Sequence, residues 1–312
     1  MTVRSDRPWW QLLFRWFDTS SPAKSGARID WVRILPFIGM HVMCFGIIWV
    51  GWSPLAVGTA VGLYLLRMFA ITGFYHRYFS HRAFKTSRPL QLVFALIGAS
   101  SVQRGPLWWA AHHREHHRYS DTERDPHSPR QGFWRSHMTW FLNSDNFPTR
   151  SERVRDLMRY PELKFLDRFD LLVPVALACA LFFFGGWAET AHPAWGTSAA
   201  QLLIWGFFVS TVALYHGTFT INSLAHRFGR KRFKTSDDSL NNPWLALITL
   251  GEGWHNNHHR YPASARQGFY WWEFDITYYV LRLMAVFGLV WDLRPVPQRV
   301  LEQGRQPLPT DP

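Results

Sequence analysis

No Lys, Arg, Asp or Glu occurs from Ile34 to Leu66. Gly51-Trp52-Ser53-Pro54 interrupts the run with a turn signal. A membrane-crossing helix needs about 20 apolar residues, so the run predicts two spans, about 31–51 and about 54–74, joined by a tight uncharged turn. A second charge-free run, Leu171 to Ala188, predicts a third span over about 169–188. Gly185 to Ala200 reads as a loop with Glu189 but no Lys or Arg, and a fourth span follows at about 199–221.

Lys and Arg crowd into Met1–Arg33, Arg67–Arg168 and Arg227 to the end, while the two short loops between spans have none. By the positive-inside rule both termini and residues 75–168 and 222–294 are cytoplasmic. Within these segments Pro89–Ser101 and Asn242–Leu250 are apolar but too short to span easily. They are expected to pack into the cytoplasmic part or at the interface. Phe274–Trp291 carries Arg282 mid-run and reads as an amphipathic helix rather than a fifth span. Arg150–Arg168 reads as a basic, mixed helix. Residues 1–30 form an N-terminal segment, with Arg7–Asp18 an interfacial helix mixing Trp, Phe and Leu with Arg. Residues 31–294 form the main domain, and 295–312 are Pro-rich and expected to be a disordered tail.

Composition agrees with a membrane protein more than the mean hydropathy of -0.14 suggests, because that value averages very apolar with very basic stretches. Aromatics make up 17%, including 18 Trp, a residue that gathers at membrane interfaces. The net charge of +12 admits nucleic acid, the positive-inside rule or attraction to anionic groups, and no nucleic-acid motif supports the first. Cys44 and Cys179 both lie in apolar runs and read as packing residues. Met1 to Pro8 has no signal-peptide pattern, since Asp6, Arg7 and Pro8 precede any apolar run.

The chemistry sits in the histidines. His113, His116 and His117 are spaced i, i+3, i+4, which puts three imidazoles on one helix face. His255, His258 and His259 repeat that spacing, His76 and His81 bracket a little over one turn, and Asn222 and His226 are one turn apart. Imidazole is the commonest metal ligand near neutral pH. Two such faces and three more histidines exceed the roughly four ligands of one tetrahedral metal, which argues for two metals. An all-imidazole set leaves the metals' charge uncompensated and suits iron redox chemistry with dioxygen better than a hard cation. His112 points about 100° away from the face of its neighbours and is left out. His41, His137, His192 and His216 are lone histidines, read as hydrogen-bonded or exposed. Two Glu-x-x-His strings, Glu189–His192 and Glu252–His255, cannot converge as a carboxylate di-iron site, since the first lies in an outer loop. Glu252 remains a candidate hydrogen-bond partner for a metal-bound His. The fold class is therefore all-α integral membrane, with four transmembrane helices and a cytosolic helical cap holding a His-rich di-metal site.

His-Arg-Tyr-Phe-Ser-His (76–81), His-Arg-Glu-His-His (113–117) and His-Asn-Asn-His-His (255–259) resemble the three histidine boxes of integral-membrane fatty-acyl desaturases of the delta-9 type. Asn-Ser-Leu-Ala-His (222–226) resembles the element that adds a ninth His and an Asn acting through water. The resemblance implies an O2-dependent desaturase that inserts a cis double bond into an acyl chain on CoA or membrane lipid. It implies two iron ions cycling between Fe2+ and Fe3+, held by His76, His81, His113, His116, His117, His226, His255, His258 and His259, with Asn222 through water. How the nine divide between the metals is open. Gln103, Trp109 and Thr218 match positions that line and kink the substrate tunnel, and Phe219 stands where animal relatives have Trp. His127, in Asp125-Pro126-His127, resembles a family element that is not a ligand. Animal acyl-CoA enzymes carry an Arg-Asp pair where this chain has Ala111-His112, which puts recognition of CoA in doubt. No electron carrier is legible in the chain, so a separate ferredoxin- or cytochrome-type donor is implied. The rival enzyme is a membrane di-iron hydroxylase acting on alkanes, sterols or carotenoids; the rival outside enzymes is a haem electron-transfer protein, disfavoured because the histidines sit at helix ends.

Overall fold

The computed structural model describes residues 31–306, so the expected Arg7–Asp18 helix lies outside the described residues. Nearly all regular structure is helical. Helix α1 is Trp31–Cys44 and α2 is Ile47–Val50, separated at Phe45-Gly46. There the segment carrying Ile204 comes so close that a Cβ on Gly46 would stand 2.7 Å from the Ile204 side chain. Helix α3 is Pro54–Ser80, α4 Arg88–Ala99, α5 Pro106–Tyr119 and α6 Pro161–Arg168. Helix α7 is Leu172–Ala191 and α8 is Ala199–His226. Helices α9 (Pro243–Ile248), α10 (His255–Arg260), α11 (Ile276–Val286) and α12 (Gln298–Gln303) complete the chain. A two-residue ribbon pairs β1 (Lys85–Thr86) with β2 (Val290–Trp291), antiparallel.

Among the described residues three helices, α3, α7 and α8, are long and apolar enough to cross a membrane. The α1–α2 stretch is a shorter apolar helix, Ile34–Val50. Outward apolar side chains fit a lipid surface: Phe183 on α7 is 71% exposed and Trp49 on α2 79%. Ser53 caps α3 by accepting from the Ala56 amide at 3.1 Å, with Pro54 at the first helical position. Its hydroxyl also meets Thr197 at 2.6 Å, joining the two short inter-helix loops.

Several boundaries move. Helix α3 does not stop near 74 but continues to Ser80 as a wider-wound π-helix over Ala70–Ser80. Its own backbone bonds carry it on, so His76 lies within the helix and His81 at its cap. Helix α8 likewise runs past 221 to include Asn222 and His226. Helix α7 runs from Leu172 to Ala191 rather than about 169–188, which leaves only residues 192–198 as loop. Of the expected Arg150–Arg168 helix, a single turn at Ser151–Arg153 and α6 form, because Pro161 starts a new helix. The expected tail disorder also fails at α12, where Val300 is buried against Phe233, Phe269 and Tyr270.

The main core lies around the wide-wound half of α3. Ile71, Phe74, Tyr75 and Phe79 pack with Phe84 and Phe94, Leu107 of α5, Leu163 and Leu166 of α6, and Leu281 of α11. The entry of α5 is set by a close approach. Gly105 precedes Pro106, and a Cβ on it would lie 2.3 Å from the Asp167 backbone. That contact lets the Asp167 carboxylate accept from the Trp108 amide at 2.7 Å, capping α5 from another element. Gly105→Ala is therefore expected to destabilise the protein by about 1–3 kcal/mol, read as a lower unfolding temperature in membrane mimetics.

Candidate metal centre

The helices bring all nine predicted histidines into two adjoining clusters. Imidazole nitrogens of His76, His81, His113, His117 and His258 lie within 4.8 Å of one another, and so do those of His116, His226, His255 and His259. Each triad is divided between them. On α5 the i, i+4 pair His113 and His117 joins the first cluster and His116 the second. On α10 the pair His255 and His259 joins the second and His258 the first. The π-helical winding of α3 makes five residues close to one turn, with the His81 amide bonded to the His76 carbonyl at 3.1 Å, so both rings reach the first cluster.

The rings face each other through Nε2. The separations are 2.7 Å for His81–His113, 2.8 Å for His117–His258, 3.0 Å for His76–His258, 3.0 Å for His226–His255 and 3.4 Å for His116–His259. Behind them, Nδ1 atoms meet carboxylates: His76 with Glu252 at 2.5 Å, His116 with Asp125 at 2.9 Å, His226 with Asp121 at 3.1 Å and His259 with Asp237 at 2.8 Å. A neutral imidazole has one N–H. His116 and His259 both give theirs to carboxylates, which leaves bare lone pairs face to face at 3.4 Å. Such a pair repels unless a cation lies between, so the residues fit a metal centre.

The other box residues hold the backbone. Arg77 makes a two-point bond to Asp275 at 2.9 and 3.0 Å and a third to Glu252 at 3.1 Å. Arg114 donates to the carbonyls of Phe79 and Ser80 and to Asp156, fastening α5 to the end of α3. Asn256 accepts from the Arg232 and Phe233 amides, and Asn257 accepts from Asn241 and donates to Gln267 and Glu273.

Burial first, and neighbouring imidazoles second, hold His81, His113, His117, His255 and His258 well below the usual imidazole range. Burial also lowers His259 to about 4, against the pull of Asp237. At His116 burial is outweighed by Asp125, and its pKa rises. Asp125 and Asp237 are lowered, their burial overcome by His116 and His259 respectively. The six lowered rings are therefore held neutral, with Asp125 and Asp237 anionic behind the second cluster.

His112 belongs to neither cluster. It bonds the Trp108 carbonyl at 3.0 Å and packs on the Trp108 ring at 4.4 Å. His127 packs beside His116 at 4.3 Å, and a third grouping of His116, Asp125 and His127 arises from the carboxylate that already orients His116. Glu189 lies away from the clusters, bonded to the Ala199 amide. Reading the sequence alone misses Asp121, Asp125 and Asp237 as partners. The available signal was acidic residues inside strongly basic segments, two of them within nine residues of His116.

An apolar cavity of about 290 Å³ adjoins the first cluster through His113. It is lined by Phe37 and Met40 of α1, Leu171, Pro174 and Val175 at the start of α7, and Thr218, Phe219 and Asn222 of α8. Gln103 and Trp109 line it too, and Trp109 lies over the His113 ring at 5.1 Å. Gln103 accepts from the Trp109 indole at 3.3 Å and donates to Thr218 at 3.0 Å.

An apolar cavity bordered by a ring of an imidazole cluster is one arrangement for bringing a hydrocarbon chain to a metal centre, and comparison with known proteins agrees. The fatty acid desaturase family matches residues 50–292. The chain belongs to the fatty acid desaturase family. It is similar to palmitoyl-monogalactosyldiacylglycerol delta-7 desaturase, chloroplastic, of Arabidopsis thaliana, at 40% identity over 77% of this chain and 62% of the relative. It is similar also to sn-1 stearoyl-lipid 9-desaturase of Anabaena variabilis, 36% identical over 86% of this chain and 94% of the relative. Acyl-CoA 5-desaturase AL21 of Anemone leveillei is 37% identical over 88% of this chain and 84% of its own length. Family and relatives make the chain a fatty acyl desaturase, an oxidoreductase.

Asp237→Asn in this desaturase is expected to weaken metal binding roughly 10- to 100-fold, since the carboxylate sets the His259 tautomer. Metal titration of the stripped protein checks it. The metal-free form should also lose stability as pH falls below about 6.5, the ordinary imidazole value. Six cluster histidines have lowered pKa values, so the unfolded chain takes up protons that the folded one refuses; His116 acts in the opposite sense. Unfolding temperatures in chelator at pH 7.5 and 5.5 measure the loss.

Proposed function

We propose that this desaturase introduces a cis double bond, delta-9 by resemblance, into a saturated acyl chain carried on CoA or membrane lipid, at a centre of two iron ions. The observation that carries the reading is His113, which belongs to the first imidazole cluster and lines the apolar cavity. One iron would be held by His76, His81, His113, His117 and His258. The other would be held by His116, His226, His255 and His259, with Asn222 acting through water. Bound iron would supply one-electron redox chemistry with O2, removing two hydrogens from adjacent methylenes with two electrons from a ferredoxin- or cytochrome-type donor.

The chain's own residues bind, bend and dry the substrate. Both ends of the Gln103 amide are engaged, by Trp109 and Thr218, so the side chain is a fixed post on the cavity wall. An acyl chain must turn around it to lie beside His113. Trp109 covers the His113 ring, and Phe219 stacks on Tyr215 at 5.6 Å, which keeps water from that wall. Ala111 and His112 offer no Arg-Asp pair, and His112 is buried against Trp108, which weighs toward a lipid carrier.

The topology proposed is four crossings, with α1–α2 the fourth, and the centre and both termini on the cytoplasmic side. Two features support it: the C-terminal ends of α3 and α8 both deliver histidines to the centre, and the short loops at their other ends lack Lys and Arg. Fatty-acid analysis of a host expressing the chain, with double bonds mapped by mass spectrometry, is the test. A new unsaturated species absent with His113→Ala is expected; its first appearance in phospholipid or in the CoA pool assigns the carrier. Hydroxylated products without an alkene would sink the proposal.

A further inference from the structure

Three histidines that the centre does not use, His41, His216 and His137, form one hydrogen-bonded chain. His41 on α1 donates through Nδ1 to the Phe37 carbonyl at 2.8 Å, and its Nε2 meets His216 Nε2 on α8 at 3.3 Å. His216 Nδ1 meets His137 Nε2 at 3.0 Å. His137 Nδ1 meets the Ser223 hydroxyl at 2.9 Å, which itself reaches the Phe219 carbonyl at 2.9 Å. All six ring nitrogens are engaged. His216 uses its two nitrogens in different directions, so the three rings do not converge on a point as metal ligands would.

The number of hydrogens is the informative feature. Both ends of the chain are backbone carbonyls, which only accept. Its five links need five hydrogens, and three neutral imidazoles with one hydroxyl bring four. The neutral chain is one hydrogen short. With one added proton every link is made.

The chain also joins α1 and α8, which wall the acyl cavity, to the helical turn just before Phe141. Phe37 packs on the His41 ring at 4.5 Å and on Phe141 at 5.3 Å, and Phe219 packs on His137 at 5.7 Å. Phe37, Phe141 and Phe219 all line the cavity. His41 is on α1, His216 on α8, and His137 on the helical turn Arg135–Thr139.

We propose that His41, His216 and His137 form a proton-dependent clasp that fixes the α1 wall of the cavity, and that they are positioning residues for the acyl chain. Only the identity of the chain in the cavity rests on the desaturase reading. Without the extra proton the gap falls at the longest link, His41 to His216, and α1 loosens. Around the chain, Tyr215 stacks on His41 with its hydroxyl given to the Val102 carbonyl. Arg135 shares the turn of His137, Arg227 lies over Phe133, whose ring stacks on His137, and Arg67 enters from α3 through Ser210 and Thr211. Burial first, and the neighbouring His216 second, lower His137, so its proton uptake lies below the ordinary imidazole value of about 6.5. The clasp is complete below its titration and opens as pH rises through it.

The test is hydrogen–deuterium exchange of peptides covering residues 34–44 in lipid nanodiscs, corrected for intrinsic rate, at pH 5 and pH 8. In the wild type, exchange should slow about three- to tenfold at the lower pH, the worth of one hydrogen bond. A primary amide brings two hydrogens, so His41→Gln completes the count without a proton and should be protected at both pH values. His216→Leu cannot link and should be unprotected at both. Wild-type exchange that ignores pH, or His41→Gln that titrates like wild type, overturns the clasp. Exchange is read without turnover, so a failed clasp and a failed desaturase assignment are distinguishable.

Discussion

Nine imidazoles turned inward on one another are an unfavourable arrangement for a protein alone, and much of the structure around them answers that constraint. The lone pairs of His116 and His259, which face each other at 3.4 Å, need a cation between them. Burial keeps most of the rings neutral, so they remain ligands instead of becoming cations that repel. Four carboxylates behind the rings fix which nitrogen carries the hydrogen. Arg77 and Arg114 then balance or brace those elements from inside the boxes themselves. The residues between the histidines therefore hold the frame on which the ligands converge.

Helix geometry sets how the two clusters relate. An i, i+4 pair lies about 40° apart, while the residue at i+3 is turned about 60° the other way, about 100° from i+4. On α5 and α10 that turn sends two rings to one cluster and one to its neighbour, with the preference reversed between the helices. Two short helices therefore bridge both clusters. The longer helices complete them: α3 gives two rings to the first and α8 one ring to the second. A regular α-helix would spread positions five apart over well more than a turn, and the wide winding at the end of α3 corrects it.

Histidine spacing and charge-free runs were legible because both are local properties. They located the helices that carry His113 to His117 and His255 to His259, and the spans that became α3, α7 and α8. What could not be read depends on packing. The break at Gly46 reflects the approach of Ile204, far along the chain. The order of α12 depends on Phe233 and Tyr270, since Val300 alone does not signal a core. Asp237 reaches His259 across a loop, and no spacing rule joins them. The lone histidines His41, His137 and His216 are hydrogen-bonded as read, but that they bond to one another was not legible, because they are far apart in sequence and close only in space.

Chemistry and selection are carried by different parts of the fold, joined at two helices. Helices α3 and α10 furnish the centre and do not line the cavity; α1 and the start of α7 line the cavity and give the centre nothing. Only α5 and α8 do both, through Trp109 with His113 and through Thr218 and Phe219 with His226. From Thr218 to His226 is eight residues, about 12 Å of helix rise. The Gln103–Thr218 contact on the cavity wall is therefore separated from His226 of the second cluster by about two helical turns. Relatives named for positions 5, 7 and 9 resemble this chain over most of its length. Under the function proposed above, the double-bond position would be set where the cavity wall meets the helices that carry the clusters, at the contact of Gln103 with Thr218 and Trp109.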